Sequence, residues 1–333
     1  GETTYTELLI ALAQLSQEGF TNLVIDLRDN VGGYLDSAVQ MANEFLPKNK
    51  LIVYTEGRKS PRREYRTNGQ GSYQDIPLVV LINEGSASAS EIFAGAMQDN
   101  DRGTIIGRRS FGKGLVQQQI AFPDGSMIRL TIARYYTPSG RCIQKPYTIG
   151  DSEDYAQDIV ARYQHGEFFN QDSIKHVGPA YHTTLGRTVY GGGGITPDIF
   201  VPEDTLCMTS YYKQAAMSGL ILQFAFNYTD NNRQKMQQFK ELLELESYLK
   251  KQNMVEQFAT YANSHGLQRR NLLIKKSHSL LERYIDSRVI YNMLDEQAWN
   301  QYLNADDNVI KKALEVFKNN AAFPKAPAKK AKR

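Results

Sequence analysis

The chain has 333 residues, 41% hydrophobic and 23% charged, enough for one substantial core and a smaller second unit, and too apolar for a disordered chain. Its net charge of +3 is small, and much of the excess sits at the end in Lys329, Lys330, Lys332 and Arg333, so nucleic-acid binding is not indicated. No apolar run of roughly eighteen residues occurs, so no transmembrane segment is expected, and the opening Gly1-Glu2-Thr3-Thr4 is not a signal peptide.

Residues 4–15 read as an amphipathic helix, with Leu8, Leu9, Ala11, Leu12 and Leu15 near helical spacing. So abrupt a start predicts a fragment whose front is missing. Residues 22–27 form a short apolar run that ends in Arg28-Asp29-Asn30-Val31-Gly32-Gly33, a buried strand delivered into a glycine turn. A helix is expected over 34–45, strands over 51–55 and 77–82, and a helix over 88–98. Further strands are expected over 103–106, 114–122 and 126–136, the last two joined at the turn signal Phe122-Pro123-Asp124-Gly125-Ser126. This alternation predicts an α/β fold with one large, partly antiparallel sheet, whose chemistry collects at the carboxyl ends of its strands. Gly191-Gly192-Gly193-Gly194-Ile195-Thr196-Pro197-Asp198 reads as a flexible turn into a short closing strand, 199–201.

Beyond Leu206 the composition changes to Leu, Gln, Lys, Glu, Tyr and Asn at helical spacing, for example Phe239, Leu242, Leu243 and Leu245. The expected organisation is therefore a core over 1–205, a helical C-terminal region over 206–323 and a basic disordered tail over 324–333. Cys142 and Cys207 are the only two cysteines, and one disulfide or two free thiols are both open.

Metal chemistry has no support, because His165, His176, His182, His265 and His278 are scattered and no paired-cysteine motif exists. His176 or His182 could fold back on a serine, but nothing local marks either one. Gly107-Arg108-Arg109-Ser110-Phe111-Gly112-Lys113-Gly114 nearly fits a phosphate-binding loop. However, Gly114 replaces the hydroxyl that would hold magnesium, and a strand rather than a helix follows. No cofactor is expected. Asn227-Tyr228-Thr229 matches a glycosylation sequon by chance.

Gly85-Ser86-Ala87-Ser88-Ala89-Ser90-Glu91 lies between a buried strand and a helix. Ser, Gly and Ala also suit capping and close packing, so this run alone marks no chemistry. Taken with the 28–33 turn and with Phe111-Gly112-Lys113-Gly114-Leu115-Val116-Gln117, it resembles the carboxy-terminal processing peptidases, the tail-specific serine proteases. Their Asp-Leu-Arg-x-Asn-x-Gly-Gly, Gly-Ser-Ala-Ser-Ala-Ser-Glu and Phe-Gly-Lys-Gly-x-x-Gln segments recur here in order, and Gly192 to Asp198 resembles their later Gly-Gly-Gly-Ile-x-Pro-Asp. The resemblance covers about residues 3–202.

That resemblance implies a serine endopeptidase with Ser88 as nucleophile, Lys113 as its base 25 residues later and Gln117 orienting the lysine. A lysine serves as a base only where desolvation brings its pKa from about 10.4 toward neutrality. It would accept the serine proton during attack and return it to the leaving amine. The Ala89 N–H, at a helix start, is the expected oxyanion donor, with Gly32 or Gly33 as the second. Arg28 and Asp29 are read as an ion pair at a strand end.

The resemblance also implies a crotonase/Clp-protease-like core sheet with flanking helices, normally preceded by a PDZ domain that captures apolar carboxyl termini. Substrates would be proteins or peptides with such termini, cleaved in the periplasm or cell envelope. The rival readings are a catalytically silent core acting as a binding module, against which the retained Ser88 and Lys113 argue, and an assembly part whose helical region docks a second copy or an adaptor.

Overall fold

The computed structural model describes residues 1–148 and 152–327. The basic residues Lys329, Lys330, Lys332 and Arg333 lie outside them. The chain divides into two compact units, Gly1–Pro202 with Lys311 onward, and Glu203–Ile310.

The first unit is organised around a parallel sheet of β1 (Leu23–Asp26), β4 (Leu78–Ile82), β5 (Thr104–Gly107) and β10 (Ile199–Phe200), in the order β1-β4-β5-β10. β4 reads Leu-Val-Val-Leu-Ile and is buried at every position, as expected for a central strand covered on both faces. The helices α1 (Thr4–Gln17), α2 (Leu35–Phe45) and α3 (Ala89–Asp99) complete this layer. All eleven residues of α3 are buried. Its small residues make this possible: a Cβ on Gly95 would stand 2.8 Å from Thr137 Cγ2. Phe93 on α3 meets Phe45 on α2 edge-on, ring centroids 5.9 Å apart.

The antiparallel strands form a separate sheet rather than extending the first. β2 (Leu51–Glu56), β3 (Arg63–Arg66), β6 (Leu115–Ala121) and β7 (Met127–Tyr136) pair in the order β3-β2-β7-β6. The expected single mixed sheet is thus two: β2 is apolar over 51–54 like the parallel strands, yet it pairs with β3 and β7. β3, α4 (Ser152–Gln164) and the small pair β8 (Ala180–His182) and β9 (Thr188–Tyr190) were not anticipated.

The glycine-rich turn before β10 is fastened rather than flexible. Gly192 N donates to Cys142 O at 2.7 Å and Gly194 N to Ile143 O at 2.8 Å. Asp198 accepts from Ile105 N, Gln98 Nε2 and Arg187 Nη1 at 2.8, 2.9 and 2.5 Å.

The second unit is helical: α5 (Ser210–Met217), α6 (Leu220–Met236), α7 (Leu242–Leu249), α8 (Met254–Ser264), α9 (Asn271–Lys276), α10 (His278–Met293) and α11 (Glu296–Asn304). Leu281, Ile285 and Val289 recur every fourth residue on α10 and are fully buried, the apolar stripe of a core-facing helix. A last helix, α12 (Asn308–Lys318), contains the division point. The expected helical region ran to residue 323, but the segment after α12 packs in the first unit. There Thr104 Oγ1 lies within hydrogen-bonding distance of the Ala321 and Ala322 carbonyls. Cys142 and Cys207 are both free thiols.

Candidate active site

Three loops at the carboxyl ends of β1, β4 and β5 are bonded to one another. Ser86, fully buried, donates its hydroxyl to Leu27 O at 2.6 Å and accepts from Asn83 N at 3.0 Å. Ser90 Oγ lies 3.0 Å from both the carbonyl and the side-chain oxygen of Asn30. Asn83 bonds Asp29 twice, through Asp29 N at 2.8 Å and Asp29 Oδ1 at 2.9 Å. Arg28 pairs with Asp26 at 2.6 Å, so the expected Arg28–Asp29 pair is not formed, because Asp29 is already engaged by Asn83. Ser86 and Ser90 are thus fasteners of the turn.

Ser88 differs from both. It stands between the strand and α3 with φ +56° and ψ −116°, a conformation that costs about 1–3 kcal/mol for a residue with a side chain. Its neighbours hold it there: Ala87 N donates to Asn30 O at 3.0 Å and Ser88 N to Glu91 Oε2 at 2.9 Å. A sharp strand-to-helix turn of this kind lifts a hydroxyl clear of the surrounding backbone. Ser88 lines a cavity of about 650 Å³ together with Gly33, Ala89, Lys113, Gln117 and Tyr135. Neither His176 nor His182 lines it. His176 instead stacks on Tyr190 at 3.7 Å.

Glu91 binds the serine turn to the lysine loop, a role that sequence reasoning missed. Its carboxylate is fully buried and accepts from four donors: Ser110 Oγ at 2.5 Å, Gly112 N at 2.7 Å, Lys113 N at 2.8 Å and Ser88 N at 2.9 Å. Burial pushes its pKa up, and these donors oppose the shift. Four donors saturate the acceptor sites of an ionised carboxylate. The Gly112 and Lys113 amides of this near-match loop are therefore occupied by an internal carboxyl group. The pattern Ser-x-x-Glu signals a capping box, but it cannot show the reach to Ser110, Gly112 and Lys113.

Tyr135 is the second missed residue. Its hydroxyl donates to the Lys113 carbonyl and also lies beside the Ser88 side chain, while burial, with Glu91 nearby, pushes its pKa well up. Gln144 Oε1 accepts from Gly114 N at 2.8 Å, and Lys145 N donates to Gly112 O at 2.9 Å. Lys113 is thus placed through its backbone and its loop neighbours. Gln117 lines the same cavity but forms no hydrogen bond with Lys113 among the described residues, and no bond joins Lys113 Nζ to Ser88 Oγ.

The two glycines of the first turn play different parts. Gly32, with φ +82°, comes so close to the serine turn that a Cβ would stand 2.4 Å from Ala87 O and 2.6 Å from Ala89 N. Its N–H already donates to Asn30 Oδ1 at 2.9 Å. Gly33 faces the cavity, and its N–H has no partner among the described residues; the same holds for Ala89 N. Among the described residues, no group of acidic, His or Cys residues suited to a metal occurs, and no helix is long and apolar enough to cross a membrane.

Residues 1–154 match the model of Peptidase family S41, and residues 211–295 match a family of unknown function, DUF8443. The chain is 45% identical over 141 residues to a carboxyl-terminal-processing protease of Synechocystis sp., covering 42% of this chain and 33% of that protein. It is 41% identical over 148 residues to a chloroplastic C-terminal processing peptidase of Tetradesmus obliquus, covering 44% and 31%. The chain thus spans about a third of the length of these relatives. Among solved structures it is similar to a photosystem II D1 C-terminal processing protease, with TM-score 0.44, 30% identity and coverage of 62% of this chain and 41% of that one.

Proposed function

From the peptidase family S41 domain carried by residues 1–154, we propose that the chain is a serine endopeptidase of the C-terminal processing kind, with Ser88 as nucleophile and Lys113 as general base. The observation that carries this reading is the strained Ser88, presented at the start of α3 into a cavity that Lys113 also lines.

In this mechanism the unprotonated amine of Lys113 takes the Ser88 proton as the hydroxyl attacks the peptide carbonyl. It then returns the proton to the departing amine. The tetrahedral oxyanion is received by the free N–H groups of Ala89 and Gly33, at the positive end of the α3 dipole. Gly32 is the structural glycine of the pair, since its N–H is engaged by Asn30. Glu91 holds Ser88 and Lys113 in one frame, and Gln117 meets the lysine once substrate closes the site. Apo geometry of this looser kind is common before substrate binds.

Substrates are proteins or peptides with apolar carboxyl termini, cleaved near those termini. The likeness to the processing proteases supports a periplasmic or envelope setting, and the helical unit is the candidate contact for a second copy or an adaptor.

The test is hydrolysis of an unfolded protein or apolar-tailed peptide by the chain and by its Ser88→Ala and Lys113→Ala variants. A loss of at least about 10³-fold in each, at unchanged folding, is expected. Equal activity in all three would overturn the assignment.

A further inference from the structure

Three features of the cavity point in one direction. Among the residues that line it, Asp36 is the one acid, against Arg63, Lys113 and Arg129. Arg62, just before β3, and Arg66, at its end, both pair with Glu64, at 2.7 and 2.8 Å. Arg63 between them faces the cavity, lies 5.0 Å over the Tyr65 ring and forms no ion pair among the described residues. Arg129 on β7 likewise lines the cavity and has no acidic partner among them. Both arginines are exposed on the lining of the cavity, and a guanidinium without an acidic partner there is a ready bidentate receptor for a carboxylate.

The sheet register sets where these receptors stand. Arg63 pairs with Thr55 and Thr55 with Tyr135, whose hydroxyl adjoins Ser88. Two interstrand steps put Arg63 about 10 Å across from Tyr135. Arg129 stands six residues before Tyr135 on the same strand, at most about 20 Å away at 3.4 Å per residue. An extended peptide covers those spans in about three and about six residues.

We propose, resting on the peptidase reading above, that this sheet face is a track for an extended substrate and that Arg63 and Arg129 hold its carboxylates at set distances from Ser88. The carboxylate is supplied either by the substrate's own terminus or by an Asp or Glu side chain. The chemistry recognised is the same. If it is the terminus, the track is a ruler that fixes how many residues are removed.

The experiment measures peptide binding to the Ser88→Ala chain, so that it does not depend on turnover. The peptides form a matched set: free carboxyl terminus, amidated terminus, and Glu→Gln replacements at single positions. Removing the recognised carboxylate should weaken binding about tenfold at low salt. The difference should vanish when Arg63→Gln and Arg129→Gln are added, with the neutral peptide binding as before. Loss in the amidated arm assigns the terminus, and loss in a Glu→Gln arm assigns a side chain. Carboxylates without effect, or arginine variants that weaken charged and neutral peptides alike, overturn the proposal. If the unmodified chain hydrolyses nothing while the carboxylate preference persists in Ser88→Ala, the peptidase reading falls and the track stands.

Discussion

The loops around Ser88 and the core of the helical unit are both densely buried, yet they are held by opposite means. In the loops the buried polar atoms are matched one to one: Glu91 meets four donors, and Ser86, Ser90 and Asn83 each bond across loops. The helical unit is built on apolar side chains such as Phe224, Phe258, Leu281 and Ile285. It leaves the Tyr211 hydroxyl, Asp286 Oδ1, Arg288 Nε and Trp299 Nε1 buried without a hydrogen-bond partner among the described residues. Directional bonds fix where a reacting atom stands, while apolar packing holds a body together without specifying its polar atoms. Removing a polar group should therefore hurt the loops and spare, or help, the helical unit.

Glu91→Gln tests the loop side most severely. The amide nitrogen would face one of four donors and leave buried N–H groups unpaired, at about 3 kcal/mol or more. Ser88 and Lys113 would lose their common anchor together. Hydrolysis should fall about 100-fold and the thermal midpoint should drop, read by initial rates and by circular dichroism on one preparation. Full activity with a lowered midpoint would separate the bolt from the chemistry and break the comparison.

Asp286→Asn is the counterpart in the helical unit. Burial, then Glu282 and Glu246, raise the Asp286 pKa to about 7 against the opposing Lys250, and the phenol of Tyr302 lies within its field. The unfolded chain releases this proton near pH 4. Between those values the native state binds more protons than the unfolded one, so stability falls as pH rises through that window and the loss is complete above about 7. The Asn variant should be up to about 4 kcal/mol more stable at pH 8 and little changed at pH 4, measured by urea unfolding. Peptide hydrolysis should not change. A variant less stable at pH 8 would mean that the carboxylate has a native partner.

Much of this was legible in the sequence. The continuous apolar run of residues 77–82 announced a buried strand, and helical spacing announced α3 and a helical region beyond residue 206. Ser88, Ala89, Lys113, Gln117 and Gly33 were named through short segments that together resemble one family, and they line one cavity. What escaped was set by distance in the chain. Tyr135 reaches Lys113 across 22 residues, and Gln144 reaches Gly114 across 30, with no periodicity to betray either contact. The split of the antiparallel strands into their own sheet escaped for the same reason, since pairing between β2 and β7 is a long-range choice.

The mildest test sets two tyrosines side by side. Tyr135→Phe keeps a ring that is 3% exposed and removes a hydroxyl that bonds the Lys113 carbonyl. Tyr211→Phe keeps a ring that is 1% exposed and removes a hydroxyl that has no hydrogen-bond partner among the described residues. The first should cost about 1 kcal/mol and lower kcat about three- to tenfold by loosening the lysine loop. KM should hold, because the ring still lines the cavity. The second should leave hydrolysis untouched and be neutral or slightly stabilising, since a buried hydroxyl without a partner contributes only its desolvation cost. If Tyr135→Phe silenced the chain as fully as Ser88→Ala, the phenol would belong to the chemistry itself. Proton transfer would then run through Tyr135, and the two-residue assignment of Ser88 and Lys113 would need a third member.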